Sequence, residues 1–218
     1  MAIVLPSSLS VDAYAAAGRK VEVDRPDCPD CLGPMTGWSG YFRHVRQAAR
    51  DLAVWVPRAR CGACAATHAL LPAFCLKNRL DVVESVGTAI EAVAEGGSGV
   101  RPVADRLDVP YPTVRGWVRR FGSRARAHAV AFSAVGVELG GPALTPVPDP
   151  IRWAARAIHS SWWAAGAHGE WSSVGPWRFA SAVCGGTLLA TNTNSPWFVI
   201  GRRRFMPPVP EWDQKRRQ

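Results

Sequence analysis

Residues Val100–Phe121 read VRPVADRLDVPYPTVRGWVRRF, and their spacing predicts two short helices joined by a tight turn. Val103 and Leu107 share one face of a first helix, Val114 and Trp117 share one face of a second, and Val109 plugs the turn between them. Ala104 is small where two helices must cross closely. Asp108 takes a turn position that often needs positive φ; glycine is the usual choice there, and Asp tolerates it. Pro112 suits the first turn of the second helix, where its missing N–H costs nothing. That helix then exposes Tyr111, Thr113, Arg115, Arg119 and Arg120. This is the pattern of a helix-turn-helix, whose second helix lies in the major groove of DNA. Two solvated helices of a bundle would need the same apolar spacing. The window, however, sets Arg101, Arg106, Arg115, Arg119 and Arg120 against Asp105 and Asp108 alone, so it is net basic.

The whole chain is basic too. Its 218 residues hold 26 Lys+Arg and 17 Asp+Glu, a formal net charge of +9, which favours a polyanionic partner. With 48% hydrophobic residues it can fold as one to three small domains. No uninterrupted apolar run of about 18 residues is present, so no transmembrane helix and no membrane partner are expected. The stretch MAIVLPSSLSVDAYAAAGRK lacks a basic segment before its short apolar run and does not read as a signal peptide. A cytoplasmic, nucleoid-associated location is the expectation.

Upstream lie two CxxC pairs, Cys28-Pro-Asp-Cys31 and Cys61-Gly-Ala-Cys64. Each can form a knuckle that aims two thiolates at one point, and together they supply the four sulfurs that structural zinc prefers. Gly33 and Gly62 stand where such turns need conformational freedom. In a reducing compartment paired cysteines suggest metal rather than disulfides, and no thioredoxin-like βαβ pattern surrounds either pair. The interval between the pairs accommodates a β-hairpin, with strands over Tyr41–Arg46 and Leu52–Ala59 and a turn within Ala48–Asp51. The expected result is a zinc ribbon holding Zn2+ through Cys28, Cys31, Cys61 and Cys64. His44 and His68 read as surface or strand residues, and Cys75 and Cys184 as buried small side chains. Arg43, Arg46, Arg50, Arg58 and Arg60 stud the ribbon and extend the basic stripe toward phosphates.

Elsewhere the pattern is helical. Ser10 caps a short helix over Val11–Ala17; Lys20–Val23 reads as a short extended run. Val82, Val83, Val86, Ile90 and Val93 recur at helical spacing, with Asn78 as the N-cap and Gly96-Gly97 as the stop. This helix would cover the back of the two already described. A Gly/Pro-rich linker follows, then a helix over Ile151–Ala165 with Trp153, Ile158, Trp162 and Trp163, and another over Pro176–Leu189 with Trp177, Phe179 and Val183. The tail carries Arg202-Arg203-Arg204 and Lys215-Arg216-Arg217 and reads as a source of nonspecific phosphate contacts. The expected units are a lead-in (1–19), zinc ribbon (20–76), helix-turn-helix domain (77–130), linker (131–150), Trp-rich helical region (151–200) and basic tail (201–218). The fold class is mainly α with a small β zinc ribbon.

CPDC, the Arg-rich hairpin, CGAC, THALLP, a leading helix and VADRLDVPYPTVRGWVRRF occur in that order. Over about residues 20–125 this resembles the N-terminal zinc ribbon and helix-turn-helix of bacterial insertion-sequence transposases, and small actinobacterial proteins that carry only this part. The resemblance implies that the four cysteines bind zinc and that Pro110–Arg120 reads double-stranded DNA. The chain departs from the family beyond that point: from Ala127 onward the acidic residues are Glu138, Asp149, Glu170, Glu211 and Asp213, with no strands framing them as a two-metal nuclease needs.

The expectation is a zinc-containing DNA-binding protein without a nuclease, serving element-end binding, repression or an accessory role, and not an enzyme. Tyr111, Thr113 and Arg115 would meet bases, Arg119 would be shared between bases and phosphates, Arg120 and Arg124 would mainly touch phosphates, and Arg101 belongs to the same DNA-binding set. Two rivals stay open. One is a zinc-dependent hydrolase or nuclease using the C-terminal acidic residues. The other is a protein-interaction adaptor, or a homodimer, built on the Trp-rich region. His159, His168 and Glu170 have no spacing that supports a site.

Overall fold

A computed structural model describes residues 2–97, 99–167 and 170–191. Among them a four-stranded sheet and seven α-helices form a mixed α/β protein with a helical majority.

Around the CxxC pairs the chain forms a long hairpin. Strands β2 (Met35–Gln47) and β3 (Arg50–Cys61) pair antiparallel from Met35↔Cys61 to Gln47↔Arg50. The turn is tighter than expected: only Ala48 and Ala49 lie between the strands, and Ala48 takes φ 53° where hairpins usually place glycine. The THALLP segment is strand β4 (Thr67–Pro72), antiparallel to β3. One strand is absent from the sequence expectation. Residues assigned to the lead-in form β1 (Ala2–Leu5), which pairs parallel with β4, giving the order β1-β4-β3-β2. Its run of four apolar residues is too short to separate from any buried segment by periodicity. Lys20–Val23 forms no strand; Gly18–Lys20 is a single 3-10 turn.

Successive strand residues face opposite sides. Val4, Val54, Val56 and Leu71 face the helices, while Ile3, Leu5, Ala59, Cys61 and Leu70 pack with Cys28 and Met35 on the other side. The helices are α1 (Val11–Ala17), α2 (Val83–Gly96), α3 (Val100–Leu107), α4 (Tyr111–Gly122), α5 (Ala125–Glu138), α6 (Pro150–Gly166) and α7 (Pro176–Val183). Ser10 caps α1 as expected, accepting from the Ala13 N–H at 3.1 Å. Asn78 does not cap α2; it sits at φ 56° in the preceding loop, and Val82 is the cap. Gly97 closes α2 in the left-handed region.

The expected linker is shorter than 131–150, because α5 runs to Glu138 and α6 begins at Pro150, capped by Asp149. The last helix stops at Val183, where Gly185 and Gly186 both take positive φ, not at Leu189. The basic tail and the end of the Trp-rich region lie outside the described residues.

A single hydrophobic cluster runs from Val4 to Leu189, through residues expected to belong to separate units. Helix α2 lies at its centre, touching α3, α4, α6 and α7. Gly87 makes the last of these contacts possible. A Cβ there would fall 2.2 Å from the Trp177 ring. Trp177 also donates to Glu91 Oε1 at 2.7 Å, and His159 meets the same oxygen at 2.5 Å. Arg178 ties α7 to Glu84 and to the carbonyls of Ser7 (2.9 Å) and Leu9 (2.6 Å).

Asp81 joins the sheet to the helices. Its carboxylate accepts from Arg46 Nε at 2.7 Å and from Trp117 Nε1 at 3.0 Å. The backbone adds one parallel rung, Arg46 N–H to Leu80 O (2.8 Å) and Val82 N–H to Arg46 O (3.0 Å).

Two outcomes follow for stability. Gly87→Ala should destabilise by about 1–3 kcal/mol in urea titrations, because overpacking against Trp177 outweighs the helix-propensity gain of about 1 kcal/mol. Asp81→Ala should cost about 2–4 kcal/mol, since it strands a half-buried guanidinium and a buried indole N–H. Burial pushes the Glu91 carboxyl up, but hydrogen bonds from His159 and Trp177 outweigh it and hold the group below its usual range. A depressed folded value gives stability that is present above the unfolded value and lost as pH falls through the folded one. Glu91→Gln should therefore flatten the acid limb of the stability curve below about pH 4.5.

Candidate metal centre and basic helix face

Cys28, Cys31, Cys61 and Cys64 converge, every sulfur within 4.8 Å of the others. The hairpin brings Cys61 to the end of β3 opposite Met35, and the two CxxC turns then close on each other. They share one hydrogen-bond plan. Cys28 N–H donates to Gly33 O (2.8 Å) and Leu32 N–H to Cys28 O (2.8 Å); Cys61 N–H donates to Ala66 O (2.9 Å) and Ala65 N–H to Cys61 O (3.1 Å). The residue after each pair, Leu32 and Ala65, takes φ 61°. This corrects the role expected for Gly33 and Gly62, neither of which has positive φ. Gly33 is small for another reason: a Cβ there would lie 3.0 Å from the Ala63 Cβ, 3.3 Å from Cys61 Sγ and 3.4 Å from Cys31 Sγ.

The sulfur separations test the fit to a metal. Cys28 and Cys64 are 3.6 Å apart, Cys31 and Cys61 3.4 Å. Four sulfurs at about 2.3 Å from a tetrahedral ion lie about 3.8 Å apart, so these two pairs are slightly closer than that, and the whole set, within 4.8 Å, is of the right size. A disulfide would need about 2.05 Å. Backbone N–H groups also reach the sulfurs, as Asp30 N–H reaches Cys28 Sγ at 3.5 Å. The N–H of Cys64, aided by the Cys31 sulfur and the Ala63 N–H, lowers the Cys61 thiol to about 7 against burial. The N–H of Ala66 lowers Cys64, but the Cys31 sulfur, burial and the remaining sulfurs outweigh it and push that thiol up to about 12. Four thiolates in contact cannot ionise together without a cation, and a thiophilic ion removes that conflict.

His68 belongs beside this cluster. It is a strand residue, as expected, but a buried one, with Nε2 3.5 Å from Cys28 Sγ and 3.7 Å from Asp30 Oδ2. The register shows why: His68 pairs with Ala59, on the face of the sheet that carries Cys61. Sequence spacing placed it four residues after Cys64 but could not give that face. Cys75 and Cys184 are buried, and burial pushes the Cys75 thiol up to about 12. His44 is exposed on β2.

The second candidate site is the outer face of α4. Helices α3 and α4 meet through a turn in which Asp108 is left-handed (φ 51°, ψ 47°) and Val109 is buried, its N–H donating to Ala104 O at 3.1 Å. Val114, Trp117 and Phe121 point into the core. Tyr111, Arg115 and Arg119 are exposed, and Thr113 is half-buried. Arg101, on α3, lies 5.3 Å over the Tyr111 ring. Arg120 folds back along α4, its Nη1 2.8 Å from where a Gly116 Cβ would stand. Arg124 is half-buried at the start of α5, with its charge bearing on the buried His128 and Cys184. Burial is the main reason that the His128 imidazole is lowered to about 4.

The ribbon arginines divide, against the expectation of a continuous phosphate-binding stripe. Arg43 donates to the carbonyls of Leu76 (2.6 Å) and Arg79, Arg46 to Asp81, and Arg50 pairs with Asp12. Arg58 donates to Thr67 Oγ1 at 2.8 Å, and Arg60 lies 4.8 Å over the Trp38 ring. Of the residues weighed as a C-terminal site, His159 is held by Glu91 and Asp149 caps α6, accepting from Ile151 N–H at 2.8 Å. His168 lies outside the described residues.

Reduced, metal-free protein should take up one thiophilic ion per chain. Cobalt(II) should give the intense visible absorption of a tetrahedral thiolate site, and Cys61→Ser should abolish it. Gly33→Ala should weaken metal affinity about tenfold or more by pressing on two sulfurs. Retained affinity in both variants would exclude this site.

Comparison of the chain with protein-family models, with curated proteins and with solved structures finds no match.

Proposed function

We propose that the chain is a zinc-containing, sequence-specific DNA-binding protein that resembles an insertion-sequence transposase stripped of its nuclease. Element-end binding, repression and an accessory role are the activities that fit. Zinc is the metal this reading assigns to the cysteine cluster, because a closed set of four thiolates leaves no open position for catalysis. Its role is then to fix the fold of the hairpin end.

The observation that carries the proposal is the single exposed face formed by Tyr111, Arg115 and Arg119, opposite the buried Val114, Trp117 and Phe121. A helix anchored this firmly on one side can enter a groove without rearrangement. Arg115 and Arg119 are one turn apart, and Tyr111 stands at the N-terminal end, where recognition helices meet base edges. Arg101, stacked on Tyr111, keeps its N–H donors available for a flanking phosphate. In this reading Arg115 contacts bases, Arg119 is shared between bases and phosphates, and Arg120 contacts phosphates.

Selection from a random duplex pool gives the preferred site. On that site Arg115→Ala should cost about 1–3 kcal/mol and relax sequence preference. Arg120→Ala should weaken specific and scrambled duplexes alike and lower the salt slope by about one unit. Unchanged discrimination by Arg115→Ala would remove α4 as the reading element.

A further inference from the structure

The sheet carries a second basic surface, chemically unlike the α4 face. Strand β2 is an edge strand, and its pairing with β3 shifts register between Gly37 and Ser39, leaving Trp38 unpaired in a bulge. Bulges re-aim side chains. Here Trp38 is 56% exposed, and Phe42, four residues on, is 50% exposed. Phe42 pairs across the ladder with Trp55, the rings 5.1 Å apart and edge to face. An open groove of about 620 Å³ runs along this side of the sheet, lined by Trp38, Trp55, Arg19, Arg25 and Arg58.

The arginines here behave differently from those at the hairpin tip. Arg43, Arg46 and Arg50 have carbonyl or carboxylate acceptors. Among the described residues Arg19, Arg25 and Arg60 pair with no carboxylate. Arg19 lies 4.9 Å over Trp55 and 5.9 Å from the Phe42 centroid, and Arg60 lies 4.8 Å over Trp38. A guanidinium stacked on an aromatic ring still presents its N–H groups at its edge, where a phosphate can take two at once. Glu22 is the one carboxylate lining the groove, against three arginines. The charge therefore suits a polyanion. Exposed flat rings set between cations suit one whose bases are unpaired, because a duplex buries its base faces.

We propose that this groove and its rim bind single-stranded nucleic acid, with bases stacked on Trp38 in the groove and on Phe42 beside it, and phosphates held by Arg19 and Arg25. The site goes beyond the duplex reading assigned to α4 and shares no residue with it.

The test measures binding of a labelled oligothymidine, a mixed-sequence single strand and a duplex by anisotropy across a salt series, on metal-loaded full-length protein. Trp38→Ala and Phe42→Ala should each weaken single-strand binding by about tenfold, the equivalent of about 1.4 kcal/mol, and leave duplex binding unchanged. Arg115→Ala should do the reverse. Trp163→Ala, which removes a tryptophan 71% exposed on α6, serves as the control and should change neither. Circular dichroism and metal content confirm that each variant is folded. If the wild type does not bind single strands, or if Trp38→Ala and Phe42→Ala bind them as the wild type does, the proposal is overturned. If duplex binding fails while these single-strand effects stand, the α4 reading falls and this one survives.

Discussion

Asp81 sets the geometry on which the rest of the structure depends. It lies in the segment between β4 and α2, and its two oxygens reach opposite ways, one to Arg46 at the end of β2 and one to Trp117 in the middle of α4. A carboxylate removed from water must recover its hydration from fixed donors, and here a guanidinium and an indole N–H supply them. Neither donor can move far without leaving a buried polar group unmatched. The hairpin and the α3–α4 pair are thereby held in one orientation, and the Arg46 backbone rung fixes it further.

A formal charge of +9 is not spread as a uniform coat. Part of it is internal. Arg43, Arg46 and Arg178 satisfy carbonyls and carboxylates that would otherwise be stranded where loops cross the core. Among the described residues, exposed arginines also stand on two surfaces of different character. On α4 the arginines project from a rigid helix; on the sheet they lie flat on aromatic rings. On the sheet, rings and guanidiniums that hold each other in place have little side-chain entropy left to lose on contact with a ligand.

The cysteine cluster accepts backbone strain in order to form. Leu32 and Ala65 both adopt a left-handed conformation that costs a residue with a Cβ about 1 kcal/mol or more. That cost falls in each knuckle at the residue following the second cysteine, the position that turns the chain back over the sulfurs. A metal ion bound by four thiolates offsets such a cost many times over, since binding free energies of structural zinc are on the order of 10 kcal/mol.

Local order was legible in the sequence wherever the physics is local. The Ser10 cap, the left-handed Asp108, the buried Val103, Val109, Val114 and Trp117, and the tight turn within each CxxC pair all follow from neighbours within a few residues. Partnership across the chain was not legible. The strand at Ala2–Leu5 exists because β4 lies beside it, sixty-odd residues later. His68 faces the sulfurs because of its ladder register with Ala59, and Gly87 is needed because Trp177 crosses it. The arginines of the hairpin look alike in one dimension, yet four face acceptors and Arg60 lies over a ring. Sequence determined which groups the protein owns and how each short segment turns. Only the tertiary structure decided which charges are neutralised inside and which remain for a partner, because that depends on what each side chain meets across the fold.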